Sequence, residues 1–488
     1  MTQYLYGASV QGIQGYIFAT NELKQIVGAS ELVERVCTAL FSESLAAGAR
    51  PVVTAAGNIK YIFSDRAALE KAVRLFPRLV AETAPGLTVS QAVVAMDGAD
   101  ADFSCAVNEL ERRLKAQRNR PMKSLTAGLM AVERSRKTGL PAVDVAGDEQ
   151  QDECTVKKTA ALADNQTTLK LVKKLTGEQV SAGEVAWDIK DLTGRNDWIA
   201  VIHADGNGLG EVVAKVGDHP DKLRAFSLNL DNATQAAAQT AYGKIGRFSF
   251  KLPIRPVVLS GDDLTVICRA DIALEFASGF LEAFEEGTQR LIGHKLTACA
   301  GIAFIKSSYP FHYGYSLAET LCTEAKRDAK PPEIRRDGLA PSCLMMHKVQ
   351  SSFIEDWAEI ERKELTTKDG GSYNFGPYYL NELPNRWTVA QLQEEAYRLT
   401  DGKDGNAAKT DIREWMTLMA ENVGLAKQKA NRVNAIGSKK AKDSFNAATR
   451  GVERGRRWFY PAHDILSLVA LESKTKKREV TLYENNQV

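Results

Sequence analysis

Short runs of Val, Ile and Leu alternate along this chain with longer stretches whose apolar residues recur at helical spacing. After residue 197 the pattern is clearest. An apolar run at 198–204 reads as a buried strand and leads into the turn Gly206-Asn207-Gly208-Leu209-Gly210. A helical stretch follows at 221–246. An apolar hairpin comes next, with Ser260-Gly261-Asp262-Asp263 at its turn. A helix at 271–290 places Leu274, Ala277, Leu281 and Phe284 on one face, and a strand at 296–304 and a helix at 315–329 complete the series. The order β-α-β-β-α-β-α is the split βαβ, ferredoxin-like pattern, the arrangement of palm domains.

The first hundred residues carry the same order in weaker form. A strand ends at Ser9 before Gln11-Gly12-Ile13-Gln14-Gly15. A helix at 29–46, a hairpin at 51–63, a helix at 66–83 and a strand at 87–96 follow. Aligning the two halves sets Ser9 on Asp205, Gly12 on Gly208, Gly57 on Gly261 and Asn58-Ile59 on Asp262-Asp263. The expectation is an α+β protein with two tandem ferredoxin-like palm domains, of which only the second keeps its carboxylates. The expected divisions are a degenerate palm over 1–110, a polar connector over 111–196, a catalytic palm over 197–345 and a helical domain over 346–488. One short helical pattern lies in the connector at 168–175, and the tail from about 473 is polar.

Composition narrows the field. Sixty-three Lys and Arg balance 61 Asp and Glu, so no global field draws the chain to nucleic acid and any such surface must be local. The seven cysteines include no CxxC pair, and several sit in apolar runs as small core residues, which fits a reducing compartment and gives no structural zinc. No run of 18 apolar residues exists, and the N-terminus lacks a basic region followed by an apolar one, so a cytoplasmic location without membrane contact is expected. One local basic stretch stands out. Residues 424–460 hold ten Lys or Arg against Asp443 and Glu453 and end on Trp458-Phe459-Tyr460, a composition suited equally to RNA, to an acidic partner or to a solvated helix face.

The chemistry concentrates on Asp205, Asp262 and Asp263. Carboxylates at the ends of buried strands are costly unless paired or bound to metal. Three of them on adjacent strands point to a Mg²⁺ or Mn²⁺ site for phosphoryl transfer. A turn role for Asp262-Asp263 alone leaves the coincidence with Asp205 unexplained. Gly206, Asn207, Gly208 and Leu209 are expected to offer backbone N–H groups to a triphosphate, with Ser260 and Gly261 beside the nucleotide. Lys326 and Lys330, spaced i, i+4 on one helix, are expected to hold its β and γ phosphates. His203 reads as a satisfied core or surface histidine, and the isolated His463-Asp464 pair gives no phosphohydrolase site.

These residues resemble the large polymerase-like subunit of type III CRISPR effector complexes, the CRISPR palm-domain cyclase family. The resemblance rests on Gln11-Gly12-Ile13-Gln14-Gly15-Tyr16-Ile17-Phe18 with Val27-Gly28-Ala29-Ser30-Glu31-Leu32, and on His203-Ala-Asp205-Gly-Asn-Gly208 with Ser260-Gly-Asp-Asp263. It extends to Thr297-Ala-Cys-Ala-Gly301-Ile302-Ala303 with Glu324-Ala-Lys326, and to Arg134–Ala142 as an inter-palm connector. It covers roughly residues 1–345, with a helical C-terminal domain also expected. It implies synthesis of cyclic oligoadenylate from ATP, an antiviral second messenger for a downstream effector, with metal on Asp205 and Asp262, assistance from Asp263 and phosphate contact from Lys326.

Three departures accompany the resemblance. Ser260 stands where the family's turn has its first Gly. The connector's zinc cysteines are reduced to Cys154. The His-Asp nuclease domain of many members is expected to be lacking, which suggests a compact relative, standalone or in a CRISPR-type complex. Two other readings remain: a GGDEF-type dinucleotide cyclase, and a catalytically silent scaffold that binds RNA or protein through the basic C-terminal region.

Overall fold

The computed structural model describes residues 2–55, 57–97, 103–120, 130–162, 169–193, 197–246, 251–351, 356–400 and 402–471. The first sheet contains β1 (Thr2–Gln11), β2 (Arg50–Ala55), β3 (Asn58–Phe63) and β4 (Thr88–Asp97), all antiparallel in the order β2-β3-β1-β4. Helix α1 (Leu23–Arg35) follows β1, and α2 (Arg66–Thr83) crosses from β3 to β4. This is the split βαβ order expected from the sequence. Asp65 caps α2, its carboxylate accepting from the amides of Ala67 and Ala68, which ends β3 and starts the helix within two residues.

A third helix, α3 (Phe103–Arg118), was not foreseen within the polar segment and runs through the expected boundary at 110. Its apolar face, Phe103, Ala106, Val107, Leu110 and Leu114, covers the side of the first sheet that carries Leu5, Ile62, Val94 and Met96. Four Arg and Lys and two Glu on the other face conceal that stripe in a composition reading. Beyond it lie the hairpin β5 (Ala142–Ala146) and β6 (Glu149–Asp152) and helices α4 (Glu153–Ala160) and α5 (Lys170–Thr176). The last falls on the helical pattern at 168–175, of which residue 168 is outside the described residues.

The second sheet has six strands. They are β7 (Trp198–Gly206), β8 (Ile254–Ser260), β9 (Asp263–Arg269), β10 (Ala298–Lys306), β11 (Cys343–Lys348) and β12 (Tyr378–Tyr379), in the order β12-β11-β10-β7-β9-β8. Its helices are α6 (Leu209–Val216), α7 (Pro220–Lys244), α8 (Ala273–Ile292) and α9 (Phe311–Ala329). The four strands β10-β7-β9-β8 repeat the order of the first sheet. β11 adds a parallel strand beside β10, with α9 as the crossover.

Strand alternation divides the core. Ala200, Ile202 and Ala204 of β7, with Leu264, Val266 and Cys268 of β9, face α7 and α8. Ile199 and Val201, with Ile267, Cys299 and Ala303, face α9 and α1 of the first half. Gly301 on β10 is required by that second layer: a Cβ there would run into the carbonyl oxygen of Ala318 and the amide nitrogen of Cys322 on α9. Gly301→Ala is therefore expected to cost about 3 kcal/mol, by overpacking against backbone that cannot rotate away. Urea unfolding checks this, and a midpoint equal to wild type would refute it.

The C-terminal region is mainly helical, as expected: α10 (Trp357–Glu364), α11 (Val389–Arg398), α12 (Gly402–Glu421), α13 (Val423–Ile436), α14 (Lys439–Thr449) and α15 (Ala462–Leu471), with the small hairpin β13 (Val452–Arg454) and β14 (Arg457–Phe459). The Gly/Tyr-rich loop before β12 interrupts the helices. The polar tail from 473 lies outside the described residues. Among the described residues no helix is long and apolar enough to cross a membrane.

Candidate active site

The three aspartates meet at one end of the second sheet because of strand register. Ala204 pairs with Leu264 in the antiparallel β7–β9 ladder, so the next step sets Asp205 opposite Asp263. Both share the face of His203 and Thr265. Asp262 occupies the β8–β9 turn, and its Oδ2 lies only 2.8 Å from where a Cβ on Gly206 would sit. Gly206 thus provides the space that lets this carboxylate lie against β7. The same register applied to the first sheet pairs Ser9 with Asn58. Asn58 therefore corresponds to Asp263 and Gly57 to Asp262, one residue off the alignment drawn from sequence. Gly12 and Gly208 do correspond: each is a left-handed N-cap, at φ 71° and 65°, three residues beyond the paired Ser9 and Asp205.

Lys326, on α9, closes the site. Its Nζ forms an ion pair with Asp205 Oδ2 and donates to the carbonyl oxygen of Gly206 at 2.8 Å. Burial opposes its charge, but Asp205 beside it prevails and raises its pKa. Burial and then the charge of Asp205 push the Asp262 carboxyl up to about 6. Asp263 is raised well above the ordinary carboxyl range by burial and then by Asp205, Asp262 and Glu319. Glu319, one helical face with Lys326, is itself raised by burial and by Asp205.

One lysine therefore faces a surplus of negative charge, and Asp263 Oδ1 is sealed from solvent without a hydrogen-bond partner, although 24% of the side chain remains open. His203 Nδ1, at 3.4 Å, does not neutralise it: burial pushes its pKa down to about 4, and its ring packs edge-on to Tyr315 while Nδ1 lies 3.2 Å from Thr265 Oγ. It is a satisfied core histidine. An orphaned buried oxygen amid crowded carboxylates fits a hard divalent cation, which is held by one or two carboxylates. Among the described residues no three ligating groups form a ready-made cage.

The expected phosphate-binding atoms are placed less uniformly. The amide of Asn207 donates to Thr297 O at 2.8 Å and its side chain to Thr297 Oγ at 3.1 Å, so this N–H is already engaged. The amide of Gly261 is likewise taken, by Asp231 Oδ1 at 2.9 Å. Leu209 packs partly buried on the core behind the sheet. Gly208 is exposed at the start of α6, and Ser260 is buried at the end of β8. Lys330 stands exposed at the C-cap of α9, which ends at Ala329 because Pro331 and Pro332 supply no N–H to extend it. Asp231, Thr234 and Glu319 were not singled out in the sequence. The His463-Asp464 pair is buried away from this site, with Asp464 accepting from Tyr378 Oη at 2.6 Å and His463 stacked on His347.

The basic stretch is partly structural. Arg454 lies between the rings of Phe375 and Phe459 and donates to the carbonyls of Phe375 and Gly376. Arg457 donates to those of Gly370 and Gly371, and Lys429 pairs with Asp411 and Glu414. Lys427, Arg432 and Lys439 remain exposed on α13 and α14.

Sheet order and site define a two-palm protein, one palm neutral at its centre and the other acidic. Residues 198–337 match the family model described as Cas10/Cmr2, second palm domain. Over that stretch the chain is similar to a Cas10/Cmr2 second palm, and its fold is shared with Csm1 of Csm1-Csm4 cassettes. The Csm1-Csm4 cassette in complex with cA4 aligns with a TM-score of 0.58 at 13% identity, over 96% of this chain and 69% of that one. The cassette with cA3 gives 0.59 at 14% over the same shares, and that with AMPPNP gives 0.57 at 13% over 96% and 70%. At such identities the likeness is one of fold. No curated protein sequence matches the chain.

Proposed function

We propose that this protein is a divalent-metal-dependent nucleotidyltransferase that joins ATP into cyclic oligoadenylate, an antiviral second messenger. The observation that carries the reading is the meeting of Asp205, Asp262, Asp263 and Lys326 at the end of a Cas10/Cmr2-type palm sheet. Structures of the same fold are described with ATP, AMPPNP, cA3 and cA4, which supports an adenine nucleotide as substrate.

Asp262 and Asp263, with Asp205, would hold the cation. Bound there, Mg²⁺ or Mn²⁺ supplies neutralisation of the triphosphate and a lowered pKa for the ribose 3′-hydroxyl. Lys326 would turn from Asp205 to a phosphate oxygen, releasing Asp205 toward the cation. Gly206, without a side chain, leaves the space between the strands to the Asp262 carboxylate. His203, neutral and packed, takes no part in proton transfer. The exposed lysines and arginine of α13 and α14 are suited to RNA or to subunits of a CRISPR-type complex, and a cytoplasmic location goes with this reading.

The test is incubation of the purified protein with each NTP and with all four, plus Mg²⁺ or Mn²⁺, with products read by mass spectrometry. A cyclic oligoadenylate supports the reading. A guanine dinucleotide would favour a GGDEF-type cyclase, and nucleotide or RNA binding without product a silent scaffold. Lys326→Ala is expected to raise the KM for ATP about 10-fold, the loss of one charge-assisted phosphate contact. An unchanged KM would remove Lys326 from the phosphate site.

A further inference from the structure

The turn that carries Asp262 and Asp263 is held from outside the sheet. Its centre, Gly261, has φ 64°, a conformation open to glycine and therefore easily lost in a free chain. Both backbone polar groups of Gly261 are gripped by α7. The amide donates to Asp231 Oδ1 at 2.9 Å. The carbonyl oxygen accepts from Thr234 Oγ at 2.5 Å, and Thr234 is buried, sharing its single hydroxyl proton with Leu230 O at 3.0 Å. Asp231 and Thr234 are one helical step apart, so one face of α7 presents an acceptor and a donor to one residue.

In the first half Gly57 and Asn58 stand where the second has Asp262 and Asp263, so that turn carries no carboxylates. The acidic turn meets a force that the neutral one does not: Asp262 and Asp263 repel each other and Asp205. We propose that Asp231 and Thr234 are positioning residues, whose two hydrogen bonds to Gly261 keep Asp262 and Asp263 converged on Asp205. The inference rests on the nucleotidyltransferase reading for its kinetic consequence, but not for its structural one.

The same helix is anchored to the neutral palm. Arg224 donates to Pro51 O of β2 at 3.0 Å, and Asp221 pairs with Arg50 at 2.6 Å. The grip on the turn therefore starts from an element fixed at the edge of the other sheet.

The test uses four variants of the full chain: Asp231→Ala, Asp231→Asn, Thr234→Val and Thr234→Ser. Amide hydrogen exchange over residues 259–264 reads the turn, and steady-state ATP turnover with Mg²⁺ reads the chemistry. Asp231→Ala and Thr234→Val are expected to speed exchange in that segment. Each should lower kcat about 100-fold, as misplacement of a catalytic group by about 1 Å does, with KM for ATP nearly unchanged. Asp231→Asn keeps an acceptor oxygen and Thr234→Ser keeps the hydroxyl, so both should stay near wild type.

Equal losses in Asp231→Asn and Asp231→Ala would overturn the proposal, since charge rather than the hydrogen bond would then matter. Unchanged exchange in Asp231→Ala would overturn it too. If Thr234→Val does not fold, Asp231→Ala, at a half-buried position, carries the test. If wild type makes no product while exchange responds as stated, the nucleotidyltransferase reading fails and the positioning role stands.

Discussion

Asp262→Ala and Asp263→Ala should each lower nucleotide joining at least about 100-fold, and the double variant should leave no measurable product. Each removes a charge that no neighbouring group can replace: His203 is neutral, and Lys326 has the wrong sign. The factor follows from what the loss of one electrostatic stabiliser costs in a water-poor site. The second half of the expectation separates chemistry from folding. Both carboxyls are raised, which means that their ionised forms are an electrostatic cost to the folded chain. The variants should therefore melt no lower than wild type in metal-free buffer. Activity lost together with a fall in Tm would indicate damage to the turn instead, and full activity would remove these residues from the mechanism.

Glu31→Gln should stabilise the protein at pH 8 by about 3 kcal/mol and at pH 5 by less than about 1 kcal/mol. Glu31 lies on α1 in the layer between the two halves, 3% exposed, with Oε2 unpaired. Burial carries its carboxyl up to about 7, against the opposing pull of Arg255. Arg255 is itself buried, stacked 4.9 Å from the Trp187 ring, and pushed down to about 10 by burial.

Because the folded pKa exceeds the unfolded value of 4.5, the folded chain holds the extra proton. Stability is greatest below that value and declines as pH rises through about 7. Glutamine mimics the protonated form at every pH, so the variant should lose the slope as well as the cost. Urea unfolding at the two pH values measures it. An equal gain at both, or a loss at pH 8, would show that the Glu31–Arg255 attraction outweighs burial.

The sheets and their helices were legible because they follow simple periods. The helix expected at 66–83 is α2 in full, and the strand at 198–204 lies inside β7. The meeting of Asp205 with the Asp262-Asp263 turn was also legible, since strand order alone brings them together. What escaped depends on tertiary contact. The stripe of α3 was masked by its arginines, and β11 is apolar but too short to tell from a loop before its neighbour β10 is known.

The register of the first hairpin shifted by one because the two turns place their glycines differently, Gly57 second and Gly261 first. Lys326 was found, but its partner in the structure is Asp205. No spacing rule reaches across 121 residues. Asp231 and Thr234 carry no motif at all; inside an ordinary amphipathic helix they read as polar filler.

Asp328, two residues beyond Lys326 on α9, is bound by Arg386 through Nε at 3.0 Å and Nη2 at 2.8 Å, and by Tyr379 Oη at 2.5 Å. Both partners belong to the C-terminal half, and β12, which contains Tyr379, is hydrogen-bonded to β11. Mechanically, this makes the C-terminal region a handle on the lysine that faces the aspartates. One bidentate clamp, less than one turn of helix from Lys326, thus rivets the C-terminal region to the helix that closes the acidic end of the sheet.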